Sequence, residues 1–177
     1  MTSKTRILVL TLLVLGLSVL NLQLASAHNW WKWHWHPGSG NTVKVAIWNY
    51  TSQATAAVHD WDYHTDLNLP IVGYHTNVSV FGGNYGDTGW WGLAEIKKSK
   101  FDWGHKCWGW CRIKHAHARY NSYYGGSSAD IRGIFCQEVG HTFGLDHSNT
   151  GDCMGKTYYN NINVTGPHNW ADINAKY

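Results

Sequence analysis

The stretch "CQEVGHTFGLDHSNTGDCMG", Cys136 to Gly155, constrains this chain more than any other. Ser127 and Ser128 precede it as candidate caps. Ile131, Phe135 and Val139 recur at i, i+4 and i+8, which predicts a helix from about Ala129 to Thr142. On that helix Gln137 and His141 share one face, one turn apart, with Glu138 beside them. Gly144 follows, where a glycine can take a positive φ, end the helix and turn the chain back. His147 then arrives in position to complete a triangle of ligands. Three protein ligands and one water suit a catalytic zinc, which lowers the pKa of that water so that a neighbouring carboxylate can take its proton. Glu138 is one of only two glutamates, the other being Glu95. Gln137 is the anomaly, because its amide oxygen is neutral and a weaker zinc donor than imidazole. Other donors near in sequence are His115 and His117, while Asp146 competes with His147.

The first residues read as an export signal. Lys4 and Arg6 precede the 14-residue, largely apolar run Ile7 to Leu20, and "ASA" at Ala25–Ala27 provides small residues for cleavage. The run is short for a membrane span, which needs about 20 residues. Residues 1–27 are therefore expected to be a signal peptide, 28–41 a His/Trp-rich segment, and 42–177 one catalytic-type domain. Beyond residue 27 there are 12 basic and 11 acidic side chains. That balance gives no reason to expect a nucleic-acid partner, and no membrane partner is expected after cleavage. The four cysteines, Cys107, Cys111, Cys136 and Cys153, invite two disulfides in an exported chain, with three pairings open.

Alternation and β-formers predict strands at Thr42–Trp48, Asn77–Gly83, Trp90–Ile96 and Cys111–Asn121, with a short one possible at Leu69–Gly73. Ile113, His115, His117 and Arg119 are expected on one strand face. Thr51–Thr65 reads as a helix opened by good N-caps, with Ala54, Ala57, Val58 and Trp61 at helical spacing. Lys97–Lys106 reads as a charged loop, and "PHNWADINAKY" as a closing helix. The class expected is α+β.

"EVGHTFGLDH" followed by "CMG" resembles the metzincin zinc endopeptidases, most closely the secreted matrixin type. "CQE" resembles a bacterial-type subgroup in which Gln stands for the first His of HExxHxxGxxH. The resemblance covers most of residues 42–177. It implies a zincin-like single domain: a twisted mixed sheet, an active-site helix, a Met-turn and a C-terminal helix. It implies metal ligands at His141, His147 and, as the substituted position, Gln137, with Glu138 as general base and Met154 in the turn beneath the metal. It makes "TGWWGLAEI" the edge strand above the cleft, with Trp91, Gly92, Leu93 and Ala94 lining up an extended substrate. Where some relatives place an oxyanion-stabilising tyrosine, this chain has Lys156, with Tyr158 and Tyr159 further on. Cys136 directly precedes Gln137 and Cys153 directly precedes Met154, so a Cys136–Cys153 bridge ties helix to turn, leaving Cys107–Cys111 for a small loop.

The activity implied is a secreted, zinc-dependent endopeptidase acting on polypeptides as a monomer, with Glu138 transferring the proton of zinc-activated water to the leaving amine. Structural calcium or a second zinc is expected, if anywhere, at "GNYGDTG" or His64–Asp66. Two rival readings belong to other classes. One is a catalytically inactive metzincin-fold binding protein. The other is a copper- or polysaccharide-binding protein using "HNWWKWHWH", with His28 and His34 or His36 around copper. The plainer reading of this segment is an aromatic stretch packing on the domain; on the protease reading, trimming residues 28–36 is expected to leave peptidase activity little changed. Asn49, Asn77 and Asn163 sit in glycosylation-type triplets.

Overall fold

The computed structural model describes residues 33–37, 40–74, 76–101, 111–149, 151–156 and 162–177. In chain order the elements are β1 (Trp33–His34), β2 (Val45–Ile47), α1 (Thr51–His64), β3 (Val78–Gly83), β4 (Gly92–Phe101), β5 (Cys111–Asn121), a 3-10 turn (Ser122–Tyr124), α2 (Ser128–Thr142) and α3 (Pro167–Lys176). Among the described residues, no helix is long and apolar enough to cross a membrane.

Four strands run parallel in the order β1-β5-β3-β2, and β4 joins β5 antiparallel. Among the described residues β4 pairs with β5 alone, which makes it an edge there. The result is a mixed α/β domain with a mostly parallel sheet, consistent with the α+β class expected. Register explains which face is covered. Val78 stands beside Ala116 and Val80 beside Ala118, and all four are buried. Helices α1 and α2 pack together, with α2 lying on β4 and β5. Trp61 of α1, Phe135, Val139 and Phe143 complete the core between these layers. The indole nitrogen of Trp61 donates to the Cys136 carbonyl at 2.9 Å, which fixes α1 against the middle of α2.

Helix α2 starts where its capping residues predict. Ser127 Oγ accepts from the Asp130 amide at 3.2 Å, and Asp130 Oδ2 accepts from the Ser127 amide at 2.8 Å, a reciprocal capping box. Ser127→Ala is expected to cost about 1 kcal/mol, read as a lower urea midpoint at unchanged slope. The stripe Ile131, Phe135 and Val139 is buried as expected, but so are Gly133, Ile134, Cys136, Gln137, Glu138 and Gly140. A helix buried on most of its circumference is a central element.

Several expectations are corrected. Helix α1 has no side-chain cap; Tyr50 precedes it in the left-handed region at φ 51°. Tertiary packing explains this: the Tyr50 ring lies over Gly82, where a Cβ would meet it at 2.5 Å, and edge-on to Tyr120 at 5.2 Å. Leu69–Gly73 forms only an isolated bridge, Ile71 with Val45, because Pro70 lacks the donor a ladder needs. β4 runs on to Phe101, through half of the stretch read as a charged loop. Ile113 does not share a face with His115, His117 and Arg119. The β4–β5 register shifts around Lys98, so Ile113 is buried with Ala116 and Ala118 while the other three turn outward.

Residues 33–36 pack on the domain, as expected of the aromatic N-terminal segment, and more deeply than the trimming expectation allows. β1 pairs with Cys111–Arg112, and Trp35 is only 4% exposed, inside the core. Trp35 is therefore no sugar platform, and trimming 28–36 would remove core side chains rather than spare the domain. His28 lies outside the described residues, as does the expected signal segment.

Candidate functional site

The end of α2, the turn after it and the edge of β4 enclose a cleft of about 450 Å³. Gln137, Glu138, His141, Asp146, His147 and Lys156 line one side, and Trp91, Gly92, Leu93 and Ala94 the other. The site residues expected on the helix, on the following turn and on the edge strand thus meet in one place.

His141 is oriented by the backbone. Its Nδ1 lies 2.8 Å from the Leu145 carbonyl, a bond that requires the proton on Nδ1 and puts the lone pair on Nε2. A carbonyl holding the far nitrogen is the usual support of a metal-ligating histidine. Burial pushes this imidazole down to about 4, so it is neutral at pH 7. The His147 ring is 4.7 Å from the His141 ring, centroid to centroid. Between them the chain turns at Gly144, which has φ 91° as the sequence requires. Asp146 Oδ1 accepts from the His147 amide at 2.7 Å, so Asp146 braces the turn instead of displacing His147.

The Gln137 amide nitrogen donates to the Gly155 carbonyl at 2.9 Å. That anchor leaves Oε1 as the donor atom on the cleft side. Among the described residues no three His, Cys, Asp or Glu side chains converge on an ion site. A metal here would have two imidazoles and the Gln137 amide oxygen, a donor set that fits zinc with reduced affinity.

Glu138 is almost fully buried against β4, and burial pushes its carboxyl up to about 8, opposed by a bond from the Ala94 amide. Gly92 is what lets it lie there, since any Cβ at 92 would overlap the Glu138 carboxylate and meet Ile134 at 2.7 Å. The edge backbone therefore passes directly over the Glu138 carboxyl.

Met154 is fully buried beneath the helix. A Cβ at Gly140 would meet its sulfur at 2.5 Å and Trp61 at 2.8 Å, so Gly140 makes room for the turn. The Met154 carbonyl accepts from the Ser148 amide at 2.7 Å, pairing the turn with the residue after His147. Cys136 and Cys153 are bridged, with Cα atoms 5.9 Å apart and a sequence separation of 17. The loop so closed contributes about 3 kcal/mol in the chain-entropy description. Such a cystine is compatible with an oxidising, extracellular setting. Cys111 is also disulfide-bonded, but Cys107 lies outside the described residues, as do Tyr158 and Tyr159.

Other candidates are placed elsewhere. His117 lies in a hollow with Trp48, Asn49, Ser79 and Phe81, on the sheet face away from α2, so it does not supply the missing ligand. His115 packs edge-on against it at 5.0 Å. The stretch Gly83–Gly89, read as a possible ion loop, is organised by a side chain. Asn121 Nδ2 donates to the Gly86 carbonyl at 3.0 Å and to Thr88 Oγ1 at 2.9 Å, and its Oδ1 accepts from the Tyr85 amide at 3.0 Å. His64, from the other candidate ion site, stacks on Trp170 at 4.1 Å. Asn49 is committed at both ends of its amide to Gly82, at 2.8 and 2.7 Å, which removes it as a glycosylation acceptor in the folded chain.

Sequence reasoning missed Asn121, which holds the approach to the edge strand, and missed Trp35 and Tyr177 at the end of α2. Only Asn121 had a local signal, an amide closing a strand before a tyrosine pair and two glycines.

A scan of known protein families finds no profile that matches this chain, and a search of curated proteins finds no match.

Proposed function

We propose that this chain is a secreted zinc-dependent endopeptidase of metzincin-like fold. The observation that carries the proposal is the cleft itself. An oriented imidazole, a second imidazole, the anchored Gln137 amide and a buried carboxyl face a strand edge that has no partner among the described residues. A zinc held there would supply an acidified water and Lewis-acid polarisation of a carbonyl. His141 Nε2, the His147 imidazole and Gln137 Oε1 are the groups that would hold it.

The chain's own contributions follow from their positions. The open edge at Trp91–Ala94 takes an extended peptide as an added antiparallel strand. Glu138, below that edge, accepts a proton from water and delivers it to the leaving amine. A carboxyl held near neutrality is suited to both directions of transfer. Lys156 brings a positive charge to the cleft, where the carbonyl oxygen gains negative charge. Apolar Met154, with Gly140 and Trp61, closes the floor against water.

The neutral Gln137 supports a second reading, a metzincin-fold binding protein without turnover. Zinc content and cleavage of an unfolded protein separate the two. The protease reading expects about one zinc per chain and cleavage abolished by a chelator. Zinc without cleavage selects the binding protein, and absence of both overturns the metal site altogether.

A further inference from the structure

Residues 33–36 and α3 meet at the end of α2, just behind the turn that carries His147. The last carbonyls of a helix have no partner within it and need donors from elsewhere. Here they come from both ends of the chain. The Trp35 indole nitrogen donates to the Thr142 carbonyl at 2.8 Å, and the Tyr177 hydroxyl donates to the Phe143 carbonyl at 2.7 Å. The same hydroxyl accepts from the Trp35 amide at 3.2 Å, joining the two caps. Lys176 Nζ donates to the Trp33 carbonyl at 2.8 Å. The next residue is Gly144, where a Cβ would meet the Trp33 carbonyl oxygen at 2.6 Å and Lys176 Nζ at 3.0 Å. One residue further on, the Leu145 carbonyl holds His141.

We infer that Trp35 and Tyr177 are positioning residues for the metal ligands: they cap α2 in trans, fix the direction of the Gly144 turn, and so set His147 relative to His141. This rests on the reading of the cleft as a zinc site. The turn is held from inside by the His141–Leu145 bond and from outside by this strap. Metal binding needs the turn in one arrangement, and strap docking selects that arrangement. Linkage is reciprocal, so strap docking strengthens zinc binding and zinc strengthens strap docking by the same factor.

The test uses the full chain and zinc alone. Tyr177→Phe keeps the ring and removes the hydroxyl that bridges Trp35 and Phe143. Its zinc affinity, measured by competition with a chromophoric chelator, is expected to fall about tenfold, the lower end for a lost supporting bond. Lys176→Met, which releases Trp33, is expected to act in the same direction and serves if Tyr177→Phe does not fold. Zinc is expected to slow amide exchange at Trp35 in wild type, and less so in either variant. Ser127→Ala, at the opposite end of α2, loosens the helix without touching the strap and should leave zinc affinity unchanged. Equal zinc affinity in wild type and the strap variants, or an equal fall in Ser127→Ala, overturns the inference while the metal site stands. Failure of wild type to bind zinc overturns both.

Discussion

Replacing Glu138 with glutamine is expected to slow peptide hydrolysis by two to four orders of magnitude, the range contributed by a positioned general base. Glutamine keeps the shape beneath Gly92 and an oxygen for the Ala94 amide, but it cannot take a proton. The imidazoles of His141 and His147 are untouched, so zinc content should remain near that of wild type. Loss of activity together with loss of zinc would show that Glu138 is structural instead. A second measurement comes from the same variant. In chelator-treated protein the Glu138 carboxyl titrates at about 8 rather than its ordinary 4.5. The folded state therefore holds that proton more tightly than the unfolded chain. The stabilisation is complete below pH 4.5 and is lost as pH rises through 8. Wild type should lose on the order of a few kcal/mol between pH 5 and pH 9, read as a falling urea midpoint. Glu138→Gln should flatten that decline, and an unchanged slope would place the titration elsewhere.

Gln137→His is expected to tighten zinc binding by one to two orders of magnitude. Imidazole is a stronger donor than a neutral amide oxygen, and position 137 lies one helical turn before His141 on the same side. The gain is limited by the Gly155 carbonyl, which now accepts from the amide nitrogen and must find a donor on the new ring. Competition titration measures the change. Gln137→Ala should weaken binding, and the two variants together locate the third donor. If neither shifts the affinity, the third position is filled by another group and Gln137 serves only to tie α2 to the methionine turn.

What could be read from the sequence was what is local. Ser127 and Asp130 announce their capping box by spacing alone. Gly144, three residues past a histidine at a helix end, has little to do except turn the chain. The bridge at Cys136–Cys153 became legible because each cysteine adjoins a residue of the site. Non-local packing was not legible. Nothing near Tyr50 signals a left-handed cap, since the cause is a glycine 32 positions later beneath its ring. Trp35 bonds Thr142 across 107 positions, and Trp35 bonds Tyr177 across 142. Unbroken alternation would set His115 and His117 on the face of Ile113, and a shift in strand pairing reverses it.

The β4 edge has a further consequence. An unpaired strand is a template for any extended chain, including another copy of the same protein, and such edges associate unless something interrupts them. Along β4 the charge is distributed unevenly. Gly92, Leu93 and Ala94 are uncharged, while Lys97 and Lys98 stand in the far half. The lysines repel a second edge and deter sheet-to-sheet aggregation, yet they leave the half above Glu138 open. The strand is guarded along its far half and receptive along the half where the proposed polypeptide substrate would lie.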